Sequence, residues 1–175
     1  MTRSSRMIAR TAVCAAAVLA AATASAQTSP TAEVGVIMSI SAVSVEDGEG
    51  GVLSGFGVDV AGTAKSTGYV SYSRWDRPGD PSRGITGAVM FRGGWRVQGH
   101  SRRVRPFFDL GGAIGEADYV RPNAAAWSHS YFGVDVGGGA TIAIGSRAYM
   151  RPQARAQWLI YGGAISAGIG IGIRF

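Results

Sequence analysis

The chain has 175 residues, 46% of them hydrophobic and 16% charged, with 27 glycines and a formal net charge of +6. That length suits one domain, and the composition excludes a disordered tail or a coiled coil. Glycine at roughly twice the usual ~7% disfavours a helical bundle, because each glycine inside a helix costs about 1 kcal/mol relative to alanine. An all-β fold is the expectation.

Residues 1–26 read as a secretory signal peptide. Arg3, Arg6 and Arg10 precede an uncharged run over 11–22, followed by Ala24-Ser25-Ala26. A basic start, a short apolar core and a small-x-small cleavage site make such a signal, and the core falls short of the ~20 apolar residues of a spanning helix. Cleavage before Gln27 leaves a short segment over 27–32 and a barrel over 33–175. It removes three of the 17 basic residues and none of the 11 acidic ones, so the mature charge is 14 − 11 = +3. An exported chain without a long basic run gives no support to nucleic-acid binding. Cys14, the one cysteine, leaves as well, with no disulfide or cysteine metal ligand remaining.

From residue 33 onward the pattern is two-residue alternation, the period of a strand rather than a helix. Residues 33–45 set Val34, Val36, Met38, Ile40 and Ala42 against Gly35, Ser39 and Ser41. Residues 53–64 set Phe56, Val58 and Val60 against Gly57, Asp59, Ala61 and Thr63. Over 66–75 the face stays open: Val70 and Tyr72 share one side, and Trp75 falls on the other unless a bulge intervenes. Residues 85–97 set Ile85, Val89, Phe91, Trp95 and Val97 against Thr86, Ala88, Arg92, Gly94 and Arg96. Residues 103–115 set Val104, Phe108, Leu110 and Ile114 against Arg105, Asp109, Gly111 and Ala113. Residues 131–144 set Phe132, Val134, Val136, Ala140, Ile142 and Ile144 against Gly133, Asp135, Gly137, Gly139 and Thr141. Residues 147–158 carry Ala148, Met150, Pro152, Ala154, Ala156 and Trp158 opposite Arg147, Tyr149, Arg151, Gln153, Arg155 and Gln157. The final segment, 161–175, puts Ile165, Ile169, Ile171, Ile173 and Phe175 on one face and glycine, Ala164, Ser166 and Arg174 on the other. Pro152 removes a ladder hydrogen bond from a closed sheet and calls for a bulge or a local break.

The connections alternate in character. Those at 62–66, 98–102 and 145–146 are short, whereas 46–51, 76–83 and 116–129 are longer and acidic or proline-bearing. This is the asymmetry of a transmembrane barrel, with short periplasmic turns and longer external loops. Trp75, Trp127 and Trp158 are expected at the external end, and Trp95 and Phe175 at the periplasmic end, as aromatic girdles whose rings want an apolar body and a wet edge.

The leader, the eight alternating segments and above all Ala167-Gly168-Ile169-Gly170-Ile171-Gly172-Ile173-Arg174-Phe175 resemble the small OmpA/OmpX-like outer membrane β-barrel proteins of Gram-negative bacteria. The resemblance implies an eight-stranded antiparallel up-and-down barrel in the outer membrane, in contact with outer membrane lipids and monomeric. It also implies that the last strand, ending at Phe175, is read by the barrel-assembly machinery. It says little about activity, since one fold hosts many functions.

In such a barrel the interior is just wide enough for side chains to fill it. Inward glycine and serine then leave room for arginine. Asp59, Asp109 and Asp135 would share the enclosed volume with Arg92, Arg96, Arg105, Arg147, Arg151, Arg155 and Arg174 as a charge network plugging the lumen. The competing architecture is a soluble lipocalin-like barrel with its apolar face turned inward around a ligand. A lipid-modifying enzyme would have to use His129 with Ser128, Ser130, Asp118 and Glu116, whose spacing fixes no nucleophile, base and orienting acid. His100 reads as a solvated turn residue. No pairing of histidines or carboxylates suggests a metal, and the glycine-rich runs lack the helix that a phosphate loop requires. The expected role is therefore structural or interactive, without catalysis or cofactor.

Overall fold

A computed structural model describes residues 32–45, 50–78, 84–120 and 127–175; the segment read as a signal peptide lies outside them. Eight strands follow one another: β1 Ala32–Val45, β2 Gly50–Gly62, β3 Ser66–Asp76, β4 Gly84–Gln98, β5 Val104–Val120, β6 Trp127–Ala143, β7 Ala148–Leu159 and β8 Gly162–Arg174. Each pairs antiparallel with the next and β8 returns to β1, closing a barrel in chain order. Closure leaves no free sheet edge. Short turns at 63–65, 99–103 and 144–147 share one end with Ala32 and Phe175, whose backbones bond each other. We call this the terminal end. The two-residue connection Ile160-Tyr161 is at the opposite end, with Tyr161 in the left-handed region at φ 69°.

Through most of the wall the apolar stripe faces outward, as the alternation requires. Met38 is 74% exposed and Ile165 68%, with Val36, Ile40, Phe56, Val70, Phe108, Leu110, Ile114, Phe132, Ile169 and Ile171 exposed on the same surface. Asp59, Arg96, Asp109 and Asp135 point inward and are wholly buried. A lipocalin-like barrel would have the reverse arrangement, so that alternative is excluded. Small inward residues are what make room. A Cβ on Gly137 would stand 3.0 Å from the Arg155 side chain, and one on Gly172 would collide with the Tyr149 ring.

Several expectations are corrected. β5 and β6 run to Val120 and start at Trp127, so residues 116–120 and 127–130, read as loop, are paired strand. On β4 the register with β5 shifts between Ile85 and Gly87, so Thr86 is the extra residue and Ile85 turns inward, fully buried, instead of outward. On β3 no bulge occurs: Val70 is exposed outward and Trp75 points in. Pro152 breaks its ladder locally. β6 and β7 pair at Gly139 with Gln153 and again at Ile142 with Met150, in unchanged register, with no pair between. Across that gap Arg151 Nε donates to Thr141 Oγ1 at 3.1 Å.

At the end opposite the termini the alternation inverts. Glu116, Asp118, Ser128 and Ser130 face outward there, while Leu53, Trp75, Ile85, Ala88, Met90, Ala113, Ala117, Tyr119 and Tyr131 form an apolar cluster inside. β5 and β6, at 17 residues each, exceed the ~9–11 that a membrane crossing uses.

Candidate functional site

The lumen below the apolar cluster is filled by a charge network, built because β1, β2, β5 and β6 carry acids at inward positions and β4, β5, β7 and β8 carry arginines. Arg96 on β4 donates from Nε to Asp109 Oδ1 at 2.7 Å and from Nη2 to Asp109 Oδ2 at 2.8 Å, a two-pronged pair with its β5 partner in register. Its Nη1 reaches across to Asp59 Oδ2 on β2 at 3.1 Å. Arg151 on β7 bonds Asp59 and also Glu33 on β1. Arg155, four residues further along β7, bonds Asp109 and donates to Asp135 Oδ2 at 2.6 Å. Forked donors of this kind match carboxylate geometry and carry charge-assisted bonds about twice as strong as neutral ones.

Neutral donors complete the acids. Tyr69 OH donates to Asp135 Oδ2 at 2.7 Å and Gln157 Nε2 to Asp135 Oδ1 at 2.6 Å. Aromatic faces cover the guanidinium planes: Arg96 stands 4.3 Å over Phe107, Arg151 4.7 Å over Tyr149 and Arg155 5.0 Å over Tyr69. Arg105 and Arg174, partly exposed, meet Glu33 at the terminal mouth, Arg174 Nε at 3.1 Å. Arg92 differs. It donates from Nη1 to Ser71 and Ser73 hydroxyls at 3.0 and 3.1 Å, while its nearest carboxylate, Asp135, is 3.8 Å from Nε.

The structure therefore brings together Asp59, Asp109, Asp135, Arg92, Arg96, Arg105, Arg151, Arg155 and Arg174. Arg147 is not among them. It lies exposed in the turn 144–147, with its carbonyl accepting from Arg174 N, because β7 starts one residue later than the alternation suggests. The fourth acid, Glu33, was missed, although its parity with Gly35, Ser39 and Ser41 places it on the lumen face. Six guanidiniums against four carboxylates leave two positive charges in excess among the described residues.

The tryptophans divide. Trp95, Trp158 and Phe175 stand exposed on the outer wall. Trp75 is 1% exposed, corrected from girdle to lumen, where Nε1 donates to Ser39 Oγ at 2.9 Å. Trp127 is also corrected: it packs against the apolar cluster and stacks on Tyr119 at 5.6 Å, an inward position at the rim. Ser128 Oγ donates straight to Asp118 Oδ1 at 2.5 Å, and the His129 ring lies against Tyr131 at 5.4 Å, so no histidine stands between hydroxyl and carboxylate. Among the described residues no cluster of histidine, cysteine and carboxylate could hold a metal.

No protein-family model and no curated protein sequence matches the chain. Solved structures do. Neisserial surface protein A (NspA) superimposes with a TM-score of 0.69 at 12% identity, covering 82% of this chain and 97% of that one. The fold is that of the small outer membrane barrels. Ail, the attachment invasion locus protein of Yersinia pestis, gives 0.66 at 14% identity, covering 85% of this chain and 100% of that one. The N-terminal β-barrel domain of Pseudomonas aeruginosa OprF gives 0.61 at 13%, with 82% and 97% covered. At these identities the likeness is one of fold.

Proposed function

We propose that the chain is an outer membrane barrel with a structural or interaction role and no catalysis, its lumen closed by the Arg/Asp/Glu network. The observation that carries this reading is the belt of exposed Val, Ile, Phe and Met side chains around a wall whose charges are buried within. A soluble monomer rarely exposes a contiguous apolar patch larger than a few hundred Å². Outer membrane lipids are the partner that such a belt fits, with Trp95, Trp158 and Phe175 at its margins and Phe175 ending the strand offered to the assembly machinery. Closed pairing around the full circuit supports a monomer. The polar exterior of β5 and β6 beyond Ile114 marks where hydrocarbon stops, placing residues 116–120 and 127–130 outside it. An eight-stranded barrel filled this way offers no wide channel.

Fractionation of cells making the full chain tests the reading. The protein is expected in the outer membrane, with gel mobility that changes on boiling. Recovery in the soluble periplasm, or mobility insensitive to heat, would overturn it.

A further inference from the structure

The connections at the terminal end carry charge of one sign. Lys65, Arg102, Arg103 and Arg147 stand exposed in the turns 63–65, 99–103 and 144–147, and these turns contain no acidic residue. A free carboxylate at Phe175 would offset one of the four and leave three. Behind them the mouth of the lumen adds Arg105 and Arg174 against Glu33, so the field at this end is positive from rim to interior. At the opposite end the described charges of the outer wall are mixed: Arg74 pairs with Asp76 at 3.3 Å, and Glu116 and Asp118 add two acids.

The height of these cations against the apolar belt matters more than their number. At the terminal end the belt runs to the base of each turn, with Val97, Val104, Ile144 and Ile173 exposed on the outer wall. Val97 pairs with Ser66, next to Lys65; Val104 follows Arg103; Ile173 pairs with Ala148, next to Arg147. Trp95 Nε1 donates to Ser66 Oγ at 2.5 Å, which fixes the girdle ring beside the same turn. At ~3.3 Å per residue, one step of backbone separates oily wall from charge. The turns therefore hold their cations in the layer of lipid headgroups. On β5 at the other end, Glu116 and Asp118 stand between the last apolar outward residue, Ile114, and the end of the strand, so charge there stands off the hydrocarbon. A guanidinium forks onto phosphate oxygens, and each Lys or Arg at a membrane surface favours an anionic headgroup about fivefold. A zwitterionic headgroup carries its own ammonium beside the phosphate and gives no net attraction. Resting on the outer membrane reading, we propose that the terminal end is a binding surface for acidic phospholipid headgroups of the facing leaflet, gripped by Lys65, Arg102, Arg103 and Arg147.

Vesicles of phosphatidylcholine and phosphatidylglycerol at equal mole fraction, with bromine on the acyl chains of one lipid or of the other, test the proposal on the refolded chain. Trp95 reports the terminal end and Trp158 the opposite end, each read as the quenching lost when that residue alone is replaced by Phe. Trp95 is expected to show a preference of about fivefold or more for brominated phosphatidylglycerol, and Trp158 none. Lys65→Gln, Arg102→Gln, Arg103→Gln and Arg147→Gln together should bring Trp95 to parity. Salt at 1 M, where the Debye length is ~3 Å, should shrink the preference in the same direction. Should the fourfold variant fail to fold, Arg102→Gln with Arg103→Gln, confined to one turn, should still lower it. Equal quenching of Trp95 by the two bromolipids, in a barrel that inserts and shows heat-modifiable mobility, would overturn the proposal and leave the outer membrane reading standing. A preference that survives loss of the four cations would do the same. A chain that does not insert would overturn both.

Discussion

On β5, Phe108, Leu110 and Ile114 face outward while Asp109 is buried inside; a few residues later Glu116 and Asp118 face outward while Ala117 and Tyr119 are buried. The same strand, in unbroken register with β6, thus serves two opposite solvent arrangements. Toward the terminal end the wall is apolar and the core ionic; toward the other end the wall is polar and the core apolar. The second arrangement is what a water-soluble barrel needs, the first what lipid requires. Where the alternation changes sense, the surroundings of the outer wall change.

The two cores should also differ energetically. The ionic one is held by directional bonds shared among several partners, so loss of one guanidinium leaves buried carboxylates short of a donor. The apolar one is held by area and packing, where loss of a side chain leaves a cavity. Arg96→Met, which leaves Asp59 with Arg151 and Asp109 with Arg155 and removes the fork they share, is expected to destabilise the barrel by about 3–5 kcal/mol in urea unfolding from lipid vesicles. Pairing it with Asp109→Asn should give a strongly non-additive cycle. Leu53→Ala in the apolar cluster is expected to cost about 2–5 kcal/mol in the same assay. Its cycle with a distant charged position should be additive. Leu110→Arg puts a charge on the outer belt and is expected to cost about 2–4 kcal/mol in lipid. Glu116→Arg, further along the same outward face of β5, should stay within about 0.5 kcal/mol, as surface substitutions usually do. Equal costs for the last two would erase the boundary drawn between Ile114 and Glu116.

Much of this architecture is legible in the sequence because a barrel wall with one lipid-like and one enclosed face leaves a period-two record. β8 is the plainest case, with isoleucine alternating against glycine from Gly168 to Ile173. The misread positions cluster at the inverted end. Trp75 obeys its parity and points inward, but an aromatic near a strand end fits both an outer girdle and an inner lid, and only the pairing of β3 with β2 and β4 distinguishes them. Glu116, Asp118, Ser128 and Ser130 read as loop because polar residues facing water carry no apolar stripe, although Ala117, Tyr119 and Tyr131 preserve the period on the inside. Ile85 was reversed by a single extra residue, Thr86, which leaves no compositional mark. Of the charge network, parity alone identified most members. Arg147 failed because parity cannot say where a strand ends. Glu33 is legible in hindsight by the same rule that gave Asp59.

Depth-resolved fluorescence quenching in vesicles of lipids brominated along the acyl chain tests the orientation of the wall most directly. With variants that keep one tryptophan each, Trp95 and Trp158 are expected to be quenched by the bromolipid and Trp75 to be protected from both bromolipid and aqueous acrylamide. Trp75 quenched as strongly as Trp158, or Trp95 and Trp158 reached by acrylamide and untouched by bromine in the chains, would contradict a barrel with its apolar wall in lipid.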